Sequence, residues 1–342
     1  MEDQGKRGAQ RLSVERLNRW LDLGFGMFIH YGMTTFHPLG YPDCNKLIDV
    51  SHFAPDRQNP EQWVQVARDA GMRYMVLTSK HGTGFCLWPS QKTDYHVGNS
   101  PVKTDVVEAF VAACQKYGIK PGLYYGGSTD LPGGSRAGGT FDKDEWPSYI
   151  TREQQEYRLA QVEELLTQYG PLEEIWFDGS QSLGAQARHE LYDFCANLAP
   201  DTVIAMNGGW EDDGRRPYMK PRRCWPADLI CIEVAEPPIW GTDPWRKMPV
   251  NRDGALVEQP LDYYIPVEAN TMLNTGGNHA WFWGPGAHPR SDMELLGMRT
   301  LTKARNANLL LNCTPDNHGL IPQDQIDALM RLRASMQQLG FL

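Results

Sequence analysis

Glu174-Ile175-Trp176-Phe177-Asp178-Gly179 (EIWFDG) decides the fold. Four residues suited to a buried strand run into a carboxylate and then a glycine, and in an α/β barrel the end of a strand is where reactive side chains meet substrate. The pattern recurs in both directions along the chain: an apolar run of strand length, a polar or aromatic residue at its end, a Gly-rich turn, then a helical segment. Strands are predicted at 26–30, 74–79, 120–125, 174–178, 202–207, 229–233, more weakly at 269–274, and at 308–312. Most are continuously apolar, as strands covered on both faces of a parallel sheet should be. Helical apolar spacing fills 60–70, 105–117, 152–169, 187–198 and 323–338, each ending near Gly or Pro. Alternating strands and helices predict a parallel α/β fold, and eight strands favour a closed (β/α)8 TIM-type barrel, read as a single domain over 1–342. The doubly wound alternative lacks both a Gly-x-Gly-x-x-Gly after the first strand and a Walker sequence. The Gly-rich stretch 126–147 reads as part of the rim of the barrel mouth.

A chain of 342 residues can bury a large core, and its 41% hydrophobic and 22% charged residues are ordinary for a folded soluble protein. The net charge of −9, from 33 Lys and Arg against 42 Asp and Glu, disfavours a nucleic-acid partner, whose affinity rests on neutralising phosphates. The basic run 215–223 follows Glu211, Asp212 and Asp213 and reads as a solvated loop. Seven cysteines without close pairing argue against a disulfide framework. No stretch approaches the roughly 20 apolar residues of a membrane span, and the charged N-terminus lacks the apolar core of a signal peptide. The expectation is a cytoplasmic protein without a membrane partner, with homo-oligomer formation left open.

The strand ends carry the chemistry. His30 closes the first strand, His81 the second, Tyr125 the third, Asp178 the fourth, Asn207 the fifth, Glu233 the sixth and Asn312 the eighth. Singly, each has an ordinary reading: a strand-end histidine is usually a hydrogen-bonded structural residue, and a strand-end aspartate often caps the next helix. Together they converge on one mouth, among the aromatics Trp88, Tyr125, Trp176, Trp281 and Trp283, which are read as exposed. Rings beside imidazoles, amides and carboxylates suit a sugar, whose C–H faces pack on aromatics and whose hydroxyls need fixed donors and acceptors. Glycoside cleavage needs two carboxyl groups, one ionised and one held protonated. Asp178 suits the first role; Glu233, Glu236 and Glu268 are open for the second. A metal-dependent barrel hydrolase is the competing enzyme class, with His30, His81 and Asp178 as its ligands, but the first strand offers one His where such enzymes usually carry His-x-His. A sugar-binding barrel without catalysis is a further alternative. Neither a metal nor a cofactor is expected.

At these residues the sequence resembles the α-L-fucosidases of glycoside hydrolase family 29. GFGMFIHYG (24–32) is similar to the family's FG-FIHWG, NPEQWVQVARDAGMRYMVLTSKHGTGFCLWPS (59–90) to W-AK-AGAKY-VLT-KHHDGF-LW-S, and KPGLYYGG (120–127) to GLYYS-G. EIWFDG resembles WFDG, and NLLLNCTPDNHGLIP (308–322) resembles LLLN-GP--DG-IP. The resemblance implies a (β/α)8 barrel and an exo-acting retaining enzyme that releases terminal fucose, with carbohydrate as its partner. It implies Asp178 as nucleophile and His30, His81, Tyr125 and Trp176 as sugar-binding residues. Glu233, five residues after Asp228, has the spacing of the acid/base in some members and is preferred for that role. Glu268 lies in a late P-x-E motif and is the second choice for the acid, otherwise a substrate-binding residue. The sequence departs from the family pattern at His81-Gly82-Thr83 in place of His-His-Asp, at Tyr31 in place of Trp, and at Asn207-Gly208-Gly209-Trp210 in place of Asn-Asp-Arg-Trp. No C-terminal β-sandwich is expected after the helix at 323–338.

Overall fold

The computed structural model describes residues 7–37, 48–126, 151–180, 183–207, 225–233, 243–253, 255–276 and 281–341. Eight parallel strands form one sheet: β1 (Phe25–Ile29), β2 (Tyr74–Lys80), β3 (Lys120–Gly126), β4 (Glu174–Asp178), β5 (Val203–Met206), β6 (Ile230–Ile232), β9 (Val267–Met272) and β12 (Ala307–Cys313). Their order is β5-β4-β3-β2-β1-β12-β9-β6, and a single parallel bridge, Ala205 to Leu229, brings the two ends together. The result is the (β/α)8 barrel expected from the sequence, at the predicted positions to within about two residues. Among the described residues no helix is long and apolar enough to cross a membrane.

Helices α2 (Pro60–Asp69), α3 (Val106–Tyr117), α4 (Arg152–Gln168), α5 (Ala185–Leu198), α6 (Asp292–Ala304) and α7 (Gln323–Gln338) accompany the strands, and α1 (Val14–Leu21) precedes them. Their ends follow local chemistry. Asp105 accepts from the Glu108 N–H at the start of α3, and Gly118 ends that helix in the left-handed conformation that glycine adopts most cheaply. Capping boxes, Thr151 with Gln154 and Ser291 with Glu294, open α4 and α6. Elements beyond the sequence reading are α1, α6, the antiparallel hairpin β7 (Trp245–Val250) with β8 (Leu256–Tyr264), and the short pair β10 (Asn274–Thr275) with β11 (His288–Pro289).

Side chains alternate across each strand, and two cores result. Met27, Ile29, Met75, Leu77, Leu123, Ile175 and Phe177 pack outward against the helices. Phe28, Tyr74, Val76, Tyr124, Trp176 and Leu310 fill the barrel lumen, sealed from below by Trp20 of α1. The lumen also holds Glu174 and Glu268, neither exposed to solvent. Trp20 Nε1 donates to Glu174 at 3.0 Å, while the Tyr74 hydroxyl at 2.8 Å and Trp176 Nε1 at 3.1 Å donate to Glu268. Gly26 is required here: a Cβ on it would fall 2.5 Å from the Tyr74 ring, which crosses the lumen toward Glu268.

The seam between β5 and β6 is fastened by Asp228. Its carboxylate accepts from the Ile204 N–H at 2.9 Å, from the Tyr192 hydroxyl at 2.5 Å, and from the Arg11 guanidinium. Arg11 also donates to the carbonyls of Pro200 and Thr202, both at 2.6 Å.

Candidate active site

The C-terminal ends of the strands gather most of the expected residues. Asp178 ends β4 half-buried, and its carboxylate accepts three hydrogen bonds: the Tyr124 hydroxyl on Oδ2 at 2.8 Å, and the Gly179 N–H at 2.8 Å and Asn207 Nδ2 at 2.9 Å on Oδ1. The same Asn207 nitrogen donates to Glu233 Oε1 at 2.5 Å. The two carboxylate oxygens that share it are therefore no more than 5.4 Å apart, the sum of the two bonds. Asn207 itself is fixed from behind, since its carbonyl accepts from the Ser180 N–H at 2.9 Å and its own N–H donates to Phe177 at 2.8 Å.

Glu233 follows β6. The residue is solvent-exposed as a whole, but its carboxyl end turns in toward Asn207 and Asp178. Burial of that end, reinforced by the charge of Asp178, raises its pKa, while the Asn207 hydrogen bond pulls the other way. Burial and the neighbouring charge of Asp178 thus favour the protonated form of Glu233.

His30 and His81 form one wall. Their rings stand 5.6 Å apart; His81 stacks on Tyr124 at 5.4 Å, and His30 lies 5.1 Å from Trp281. Phe282 sits edge-on to both histidines. Burial holds both imidazoles well below their usual pKa, so they are neutral at pH 7 and each offers one donor and one acceptor nitrogen. His30 Nδ1 is paired with Asn312 Oδ1 at 2.9 Å, and the Asn312 amide donates to the Trp281 carbonyl at 2.8 Å, tying the aromatic segment to the last barrel strand.

Three expected residues are elsewhere. Tyr125 points outward into the helix layer, where its hydroxyl donates to Gln161 at 2.8 Å and accepts from Lys80 at 3.0 Å; its neighbour Tyr124 has the inward face and reaches Asp178. Glu268 sits on the second residue of β9, near the opposite end of the strand from the mouth, with its carboxylate engaged by Tyr74 and Trp176. Trp176 lies beneath the mouth, stacked under Tyr124 at 5.3 Å with its N–H turned down to Glu268. Trp88, read as exposed, is buried in the outer layer and donates to Glu164 at 2.8 Å. Glu236, the Gly-rich stretch after Gly126 and the basic run 215–223 lie outside the described residues. Tyr124 and Phe282 are the site residues the sequence reading missed.

A triply hydrogen-bonded carboxyl group that shares one amide nitrogen with a second carboxyl group of raised pKa, beside neutral imidazoles and aromatic faces, has the parts needed for double displacement at a sugar. Comparisons with known proteins agree. Alpha-L-fucosidase 1 of Arabidopsis thaliana is 30% identical over 324 residues, covering 91% of this chain and 57% of that protein. The chain spans less than two thirds of the length of the plant relatives it matches. Among solved structures, alpha-L-fucosidase isoenzyme 1 from Paenibacillus thiaminolyticus superposes with a TM-score of 0.70 at 27% identity, covering 95% of this chain and 76% of that one. A glycoside hydrolase 29 family member from an unknown rumen bacterium gives 0.73 at 27% identity, over 97% of this chain and 58% of that one. A family model described as alpha-L-fucosidase matches residues 36–340, a span that takes in seven of the eight barrel strands together with Asp178, Asn207 and Glu233, and the chain belongs to the alpha-L-fucosidase family.

Proposed function

We propose that this protein is a retaining exo-α-L-fucosidase acting on carbohydrate substrates, with Asp178 as nucleophile and Glu233 as acid/base. The observation that carries the reading is the shared Asn207 nitrogen, which keeps one oxygen of each carboxyl group no more than 5.4 Å from the other, close enough for double displacement, in which the two carboxyl groups stand about 5 to 5.5 Å apart. In the first step an oxygen of Asp178 forms a bond to the anomeric carbon as the glycosidic C–O bond breaks, and Glu233 gives its proton to the departing oxygen. In the second, Glu233 takes a proton from water as that water displaces Asp178. Three neutral donors on Asp178 stabilise it as a leaving carboxylate, with no counter-cation in direct contact among the described residues. His30 and His81, held neutral, suit hydroxyl recognition, and the partly exposed Trp281 offers a face for the sugar's C–H surface, with Phe282 packed behind the two histidines.

The test combines a panel of aryl α- and β-glycosides, including the α-L-fucoside, with NMR of the first-formed sugar. Release of fucose with retained configuration is expected, and Asp178→Asn should lower turnover by about four orders of magnitude in a folded protein, with azide partly restoring Asp178→Gly. Near-normal turnover in Asp178→Asn, or an inverted first product, would overturn the assignment.

A further inference from the structure

Resting on the reading of Asp178 and Glu233 as the reacting pair, we infer that Asn207 is a positioning residue that sets the protonation balance between them by dividing the two N–H bonds of one amide. One N–H goes to Asp178 and the other to Glu233, so the group donates to both carboxyls at once and accepts from neither through that nitrogen. The backbone around it, bonded to Ser180 and Phe177, holds the amide in place without help from either carboxyl.

The consequences for the two partners differ. Asp178 has two other donors, the Tyr124 hydroxyl and the Gly179 N–H, so losing Asn207 leaves its carboxylate largely satisfied. Among the described residues Glu233 has no other donor, and the charge acting on it there is that of Asp178. Among the described residues, the titratable groups facing the pair from the adjoining strand ends are His81 and Tyr124, and His81 stays neutral through burial. Asn207 is thus the group that opposes desolvation and repulsion at Glu233. It keeps the acid from holding its proton too tightly to release it in the first step and act as a base in the second.

A donor to the charged form lowers a carboxyl pKa, so removing it raises the pKa. In the pH profile of kcat/KM the acidic limb reports the group that must be ionised, here Asp178, and the basic limb the group that must be protonated, here Glu233. Asn207→Leu, similar in volume but without the amide, should move the basic limb up by about one pH unit and the acidic limb by a few tenths, with kcat reduced about 10- to 100-fold. Asn207→Asp keeps the side chain's shape and adds a third carboxyl, so it should move the basic limb at least as far in the same direction; it also serves as the folded variant if the leucine form does not accumulate. A side chain that matters only for packing would lower the rate and leave both limbs in place. Unshifted limbs in a folded variant, or a basic limb displaced downward, would overturn the inference. The underlying pair is tested separately: wild-type kcat/KM in Asp178→Asn and Glu233→Gln would remove the reading of the site, whereas loss of activity in both with unmoved limbs in the Asn207 variants would remove the role of Asn207 alone.

Discussion

Glu233 and Glu268 share a residue type but occupy opposite physical situations. Glu233 meets solvent and Asp178; Glu268 is enclosed in the lumen with both oxygens engaged. An acid that protonates a leaving group matters least when the leaving group departs readily without a proton. Glu233→Ala should therefore lose two or more orders of magnitude on an oligosaccharide and far less in the glycosylation step of a dinitrophenyl fucoside, with a flattened basic limb. Glu268→Ala should be judged instead by its melting temperature, because it leaves the Tyr74 hydroxyl and the Trp176 N–H buried without an acceptor, at about 1 to 3 kcal/mol each. Leaving-group dependence confined to Glu268→Ala would reverse the assignment. The sequence displayed both glutamates and their neighbours but not their depth in the barrel. Depth depends on strand length and tilt, which residue identity does not carry.

At the scale of the strand, β3 shows where sequence reading stops. Its seven residues (KPGLYYG) place two tyrosines side by side, and a strand buried on both faces lacks the apolar–polar alternation that would say which one looks inward. The existence of the strand was legible from its apolar content; the orientation of its side chains was fixed only by register with β4, where Tyr124 pairs with Trp176 and Tyr125 with Phe177. Tyr124→Phe should lower kcat by about tenfold or more with little change in melting, since it removes a donor from the proposed nucleophile. Tyr125→Phe should leave kcat near wild type and lower stability by about 1 to 3 kcal/mol through Lys80 and Gln161, which lose its hydroxyl. Equal kinetic damage from both changes would contradict this division of faces. The same limit explains the unread elements: β9 was faint because it carries Glu268 and Asn270 into the lumen, and the hairpin β7–β8 interrupts the strand–helix alternation used to read the rest.

For the whole molecule, the lumen carries a cost that depends on pH. Glu174 and Glu268 are both fully buried with no cation in hydrogen-bonding contact among the described residues, and burial, joined for Glu174 by the charge of its neighbour, raises both carboxyl pKa values above those of the unfolded chain. A raised folded-state pKa favours folding fully below the unfolded value, about 4.3 for Glu, and that contribution is lost as pH rises through the folded value. Melting temperature should therefore fall from pH 5 toward pH 9, and fall less steeply in Glu174→Gln, which removes one of the two titrations. Parallel slopes in the two proteins would show that the pair does not govern the decline.

The clasp at the β5–β6 seam bears on the order in which this chain can be completed during synthesis. Arg11 leaves the ribosome well before its partners, for it grips Asp228, 217 positions later, and the carbonyls of Pro200 and Thr202. Arg11 meets none of these three partners until at least 189 further residues have been made, and β12, which must slot between β1 and β9, arrives later still. Until then the half-built sheet has unpaired edges and an unsealed lumen, a state open to aggregation. Slow elongation or a holding chaperone would thus be felt most between the emergence of β4 and that of β12, and a nascent chain stalled in that interval should be cut by protease near Arg11, where the folded chain resists.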